Sequence, residues 1–404
     1  MLTTIAWRNI WRARTRSAVV IGAIILGIWA LIFMISFTTG FVQSYVDNAI
    51  ATSIGHLQVH QDSFREEPKL AFHFTTQDDQ LQQLSNLEGV AGTAPRTLVS
   101  AMIGSSRSTR GVQIRGVDPA AETVVSSLDQ QIVDGGYFPE KGKNPILVSE
   151  ALVKKLKIKL RSKVVLTFQD KDLNITAGAF RVVGIFNTGN KPFDEGNVFV
   201  RRADINRILG EPQMAHELSF LLDQPQRMAA VQEEVQAILP DLLVEDYRQV
   251  APDLQLYEGQ IQTSATIFIV IIMLALLFGI INTMLMAVLE RYRELGMLMA
   301  VGMNKLRVFG MIVLETLYLA ILALIPGLTL GWLTVYLLAD SGIDLSAFSG
   351  GLSQFGLAQI VYPQLQSGFY LQLAISVGVT ALIGAIYPAW RAIRLRPVEA
   401  IRKI

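Results

Sequence analysis

The stretch from Leu289 to Glu315, LERYRELGMLMAVGMNKLRVFGMIVLE, lies between two long hydrophobic runs. Glu290, Arg291, Arg293 and Glu294 carry charges that a hydrocarbon core rejects, each at a cost on the order of 3 kcal/mol at the bilayer centre. They therefore mark the end of a span. After them, Leu295, Met297, Leu298 and Met299 are interleaved with the small residues Gly296, Ala300 and Gly302. Adaptable apolar side chains beside points of close approach suit a protein partner, although on chemistry alone a re-entrant or interfacial loop fits equally well.

Working outward, four apolar runs are long enough to cross a bilayer: about 18–41, 264–288, 309–339 and 369–388. The first is too long for the hydrophobic region of a cleaved leader, so it is expected to be retained. Pro326-Gly327 interrupts the third, where a kink or tilt is expected, and Pro388 is expected to end the fourth. Ahead of the first run, Arg8, Arg12, Arg14 and Arg16 alternate with Trp7 and Trp11, the pattern of an amphipathic elbow lying against anionic headgroups. The 289–307 loop and the C-terminal tail are also basic, whereas 340–368 contains no Lys or Arg. This asymmetry predicts both termini in the cytoplasm and residues 42–263 outside.

The chain has 404 residues, a formal net charge of +1 and no cysteine. Thiol chemistry, disulfides and cysteine metal sites are thereby excluded. No G-x-x-x-x-G-K-[ST] occurs, so any ATP-driven role calls for ATP and magnesium bound by another subunit.

Residues 41–54 repeat apolar positions at helical spacing, as do 250–262, and both predict stalks continuing the first and second spans. Between them strands are predicted at 55–61, 111–117, 163–168 and 179–186. Helices are predicted at 78–87, 149–156, 202–209 and 226–239. The fold class expected is a membrane domain of four transmembrane helices plus an α+β domain inserted between the first two. The divisions are 1–41 (elbow and first span), 42–263 (outer domain with stalks) and 264–404 (permease domain).

The pattern E-R-x-R-E-L-G-x-L-x-A-V-G-M resembles the signature of the MacB/FtsX-type permeases of ATP-binding-cassette (ABC) transporters. In that family the signature docks into the nucleotide-binding subunit from the cytoplasmic side. The resemblance makes 289–305 a coupling helix, with Glu290, Arg293, Glu294, Leu295, Gly296, Ala300 and Gly302 as its coupling residues. Gly40-Phe41, the 55–60 strand, Arg115-Gly-Val-Asp118, Val182 to Phe186, Asp194 to Val200 and the C-terminal Tyr387-Pro-Ala-Trp-Arg also resemble the family, closest to its lipoprotein-releasing LolC/LolE members. Those members use a hairpin hook to capture a periplasmic carrier. The matching segment is 168–180, with Asp170, Leu173 and Ile175 at its tip; it lacks a proline-rich tip, and an ordinary hairpin turn fits it as well.

No catalytic constellation stands out. His56 and His60 fall on one strand with no acidic pair in the local sequence, and His73 and His216 are isolated. Glu66-Glu67, Asp78-Asp79 and Glu233-Glu234 are sequence neighbours that do not converge on a substrate. Inside the spans, Asn282 suits a helix-to-helix hydrogen bond, Thr283 accompanies it, and Glu315 is expected to pair with Arg293 or Arg307. Pro397 is expected to open a short C-terminal helix.

The resemblance implies a non-enzymatic inner-membrane subunit that works by mechanotransmission with an ABC ATPase dimer and a second permease, and it implies no nucleic-acid partner. The cargo expected is a lipoprotein, entering between the first and second spans of two subunits and passed to a periplasmic carrier or adaptor. Phe37, Phe41, Tyr45, Leu256, Ile261 and Ile267 are the candidate contacts, with plain dimer packing as the alternative use of that surface. Efflux of a drug, peptide or siderophore in the MacB manner, and an FtsX-like relay to a periplasmic partner, are the alternative functions.

Overall fold

The computed structural model describes residues 2–12, 14–140, 142–172, 174–352, 357 and 360–394. It divides into two compact units: residues 1–42, 259–343 and 360–404 form one, and 43–258 with 344–359 the other. Leu173 and the expected helix at Pro397 lie outside the described residues.

The first unit is helical. Among the described residues four helices are long and apolar enough to cross a membrane: the first, Arg14–Ala49, runs into a π-helical turn at Ile50–Ile54; the second is Pro252–Glu290, the third Lys305–Ser341 and the fourth Ser367–Ile393. The first two each continue well past the apolar run into the expected stalk segment. The elbow, Leu2–Arg12, buries Ala6 and Ile10, and Trp7 meets the edge of Tyr318 at a ring-centroid distance of 5.8 Å. Small residues let the long helices approach: Gly327 and Gly331 of the third face Ile28 and Ile32 of the first, and Gly384 of the fourth faces Ile280 of the second. Trp29 Nε1 donates to Thr334 Oγ1 at 3.0 Å beside the first of these contacts.

Three expectations are corrected. The fourth helix does not end at Pro388 but runs through it to Ile393. Proline sacrifices one amide bond and crowds the carbonyl of Gly384 four residues back, and burial of Ala385, Pro388, Ala389 and Ala392 holds the helix through that loss. Glu315 pairs with Arg291, at 3.2 Å, and not with Arg293 or Arg307 as expected. Arg291 occupies the break between the second long helix and the next, so its guanidinium turns back towards the buried carboxylate. Asn282 is exposed on the second helix, while Thr283 Oγ1 donates to Gly279 O at 2.6 Å in its own helix.

The second unit is α+β, built on a ten-stranded sheet. Its centre is Val90–Gly104, a strand of 15 residues that sequence periodicity did not mark, because Gly92 and Pro95 break its alternation. Up to Arg96 this strand pairs with Glu217–Leu222, which leads to Leu57–His60 and then Leu243–Asp246. From Ala101 onward the same edge pairs instead with Lys163–Gln169. The remaining pairings run through Thr109–Val117, Asn197–Arg201, Pro145–Ser149 and Ile175–Phe186, and return through Lys163–Gln169 to close a ring. Alternate residues of the ring, among them Val99, Ile114, Val148, Leu166, Phe180 and Val198, fill one core. Leu57, Val59, Leu218, Phe220, Val231 and Val235 fill a second, between the four-strand side and the helix Met228–Ile238.

Candidate functional site

The segment between the second and third long helices forms its own helix, Tyr292–Ala300, with Arg291 at its N-cap position. Leu295 and Gly296 are buried, and Leu295 belongs to the same apolar cluster as Ala6, Ile10 and Val308. Ala300 and Gly302 are exposed, and Gly302 has a φ of +104° that a side chain resists. Met297, Val301 and Leu306 are 56%, 85% and 75% exposed. The helix is thus anchored through Leu295 and Gly296, while Met297, Val301 at its C-terminal end and Leu306 at the start of the third long helix are open apolar surface.

The two carboxylates at its start are engaged. Arg12 of the elbow meets Glu294 at 2.7 Å, and Arg16, in the first turn of the first long helix, is bonded to Glu290. Arg291 bridges Glu294 and Glu315, both at 3.2 Å. Arg12 and Arg16, which the sequence assigns to lipid headgroups, therefore bind protein carboxylates. Arg293 is exposed and also has an interaction of its own.

Of the apolar candidates, Phe37 and Phe41 are brought together: Trp29, Phe33, Phe37 and Phe41 form a ladder along one helix face with successive ring centroids 6.1 to 6.3 Å apart. Tyr45 meets Tyr257 edge-on at 5.5 Å, beside the exposed Leu256. Ile261 lines a narrow cleft with Ile35, Thr38 and Phe268, whereas Ile267 stands exposed.

At the hairpin, Asp170 Oδ1 accepts from the amides of Asp172 and Asn174, both at 2.9 Å, and thereby closes the turn. Ile175 is 78% exposed next to it. At the other end of the hairpin Lys163 and Arg181 sit directly opposite each other. Both line a cavity of about 830 Å³ with Lys143, Gly178, Phe180 and Ile208.

The histidines are less solitary than their sequence context indicates. His60 Nε2 lies 2.7 Å from Glu245 on the adjacent strand, and Arg65 grips the same carboxylate and the carbonyl of Val250. His73 and His216 lie with ring centroids 6.1 Å apart, and His73 meets Glu211 at 2.8 Å. Strand pairing supplies these partners from distant sequence. Among the described residues no group of three or more His, Cys, Asp or Glu side chains is placed to hold a metal ion.

Residues 17–238 match the MacB-like periplasmic core domain, and 266–397 match the FtsX-like permease C-terminal domain. The chain belongs to the MacB/FtsX-type ABC transporter permeases. Similar proteins share low identity over nearly its full length. An uncharacterized ABC transporter permease of Methanocaldococcus jannaschii is 24% identical, over 99% of this chain and 97% of its own. The lipoprotein-releasing system transmembrane protein LolC of Neisseria meningitidis is 22% identical over 95% of this permease and 92% of LolC. The macrolide export ATP-binding/permease protein MacB of Nitrobacter winogradskyi is 24% identical over 96% of this permease but 58% of that protein. Membership in this family makes the permease a membrane protein whose transporter includes an ATPase.

Proposed function

We propose that the permease crosses the inner membrane four times with both termini in the cytoplasm, and couples an ATPase dimer to movement of its periplasmic domain. ATP and magnesium are bound by the partner ATPase, and this chain performs no hydrolysis. The observation that carries the reading is the half-anchored helix Tyr292–Ala300, held by the buried Leu295 and Gly296, whose exposed Met297 stands with Val301 at its C-terminal end and Leu306 at the start of the third long helix as an apolar surface for a partner. ATPase closure pushes this helix, tilts the second and third long helices and moves the stalks. Two permeases, identical or different, face each other through their first and second helices.

The cargo we favour is a lipoprotein. It enters laterally against the Phe37–Phe41 ladder and the second helix near Ile261 and Ile267, then passes to a periplasmic carrier or adaptor. The hairpin around Asp170 and Ile175 is the candidate carrier contact. Full-length similarity to LolC supports this choice. The test is native purification with mass spectrometry, combined with photocrosslinkers at Phe41 and Ile261. Triacylated peptides trapped at those positions support lipoprotein release; an ATPase with a membrane-fusion adaptor and no lipoprotein supports MacB-like efflux, and a hydrolase activator supports an FtsX-like relay. In parallel, Gly296→Trp should abolish ATPase co-purification or coupling without preventing membrane insertion. Unchanged transport by that variant removes the coupling assignment.

A further inference from the structure

The helix Tyr292–Ala300 is covalently continuous with the second and third long helices, but not with the first. The first long helix nevertheless carries one of the two stalk segments, so a push on Tyr292–Ala300 needs a separate route to reach it. Arg12 and Arg16 lie at that junction. Arg12 is the last residue of the elbow and binds Glu294; Arg16 is in the first turn of the first long helix and binds Glu290, the last residue of the second. Ser17 Oγ donates to the Ile10 carbonyl at 2.8 Å, which ties the elbow to the first long helix across the bend between them. Arg291 then joins Glu294 to Glu315 in the third helix. Two sets of ion pairs, Arg16–Glu290 and Arg12–Glu294–Arg291–Glu315, therefore link the elbow and the first, second and third long helices with the segment that receives force.

We infer that Arg12 and Arg16 are positioning residues for coupling, and that Glu290 and Glu294 serve as internal anchors which make the first long helix move with the coupling helix. This inference rests on the coupling reading of Tyr292–Ala300. Under it, the ATPase meets the apolar face of Met297, Val301 and Leu306, and the two glutamates transmit that push sideways. Arg12 and Glu294 side chains are 69% and 36% exposed, so the pair contributes little to stability by itself. Its role lies in direction: opposite charges at both ends of the bend resist sliding of one helix past another.

The absence of cysteine allows single reporters to be introduced into the full permease bound to its ATPase in a lipid bilayer. A nitroxide on Asp47→Cys reports the first stalk, and one on Gln260→Cys the second; both sites are exposed. In the parent chain both spectra should change with ATP. Arg12→Glu with Arg16→Glu should retain the ATPase, reduce the response at position 47 at least about fivefold and leave the response at position 260. Adding Glu294→Arg and Glu290→Arg restores opposite charges and should restore the response, as a coupled pair requires. An unchanged response at position 47 after reversal overturns the inference, and so does a loss that the restored charges fail to repair. Retention of both ATP responses and of coupling in Gly296→Trp fails differently, because it removes the coupling reading itself.

Discussion

Arg96 donates from Nη1 to the backbone carbonyl of Ser53 at 2.5 Å, while the same guanidinium holds Glu217 at 2.7 Å and Glu122 through two bonds of 3.0 and 2.8 Å. Ser53 lies in the π-helical turn that ends the first stalk, where backbone carbonyls run out of helical partners. Ser127 binds the neighbouring carbonyl of Ala51, and Gln58 and Ser219 bind that of Ile54. Gly55 follows with φ +72°, and a Cβ there would stand 2.7 Å from the carbonyl oxygen of Phe220. The stalk end is therefore clasped by the strand on which both sides of the sheet meet.

Burial opposes the charge of Arg96, but Glu122 and Glu217 more than offset it, so its pKa lies above the ordinary arginine value. Arg96→Met leaves two carboxylates buried without their cation and should destabilise the protein by about 3–5 kcal/mol. Adding Glu122→Gln and Glu217→Gln should recover much of that loss. Denaturant unfolding of the full chain in detergent measures both; a single variant as stable as the parent contradicts the role of Arg96.

His216 is fully buried and accepts a hydrogen bond from the amide of Leu98 at 3.3 Å. Burial lowers its pKa to about 4. The unfolded chain then binds a proton that the folded chain refuses. Stability from this site is complete above about 6.5 and is lost as pH falls towards 4, with a size on the order of 3 kcal/mol. Asp194, raised by burial to about 6, acts with the opposite sign: its contribution is present below about 3.8 and is lost as pH rises through 6. A pH series of unfolding midpoints should show the acid-side loss flattened in His216→Gln and the opposing pH dependence removed in Asp194→Asn.

Gly331 approaches the first helix so closely that an added Cβ would meet Ile32 Cβ at 3.0 Å. Gly331→Leu should cost roughly 1–3 kcal/mol through forced separation of the first and third helices. Gly378 has open space around it and the same exchange there should be nearly silent. Detergent-titrated unfolding of the two variants gives the comparison.

Lys163 and Arg181 place like charges on directly opposed strand positions. Lys163→Glu converts this repulsion to attraction and should raise stability by roughly 0.2–1 kcal/mol. The gain should shrink in high salt, because both side chains are exposed. A thermal scan at two ionic strengths tests both statements.

Local patterns in the chain foretold most of the elements that carry them. Asp78–Ser85, Glu150–Leu156 and Arg202–Leu209 form within a few residues of their expected bounds, as do the strands Leu57–His60 and Lys163–Gln169. Their signals are periodic and short-range. Val90–Gly104 was illegible because its register is imposed by neighbours on both edges, which outweigh the disfavour of Gly92 and Pro95.

The candidate site divides along the same line. Charge next to apolar sequence already marked Glu290 to Gly302 as a break between apolar runs, because an unpaired charge is costly in hydrocarbon and the residues themselves show where charge begins. Long apolar runs, stalk periodicity and the missing P-loop were equally available from the chain alone. Tertiary structure decided which arginine meets which glutamate, which face of Tyr292–Ala300 stays open, and how Arg96 reaches Ser53, Glu122 and Glu217. Those partners are remote in sequence, and a charged side chain carries no record of its partner until packing brings the two within hydrogen-bonding reach.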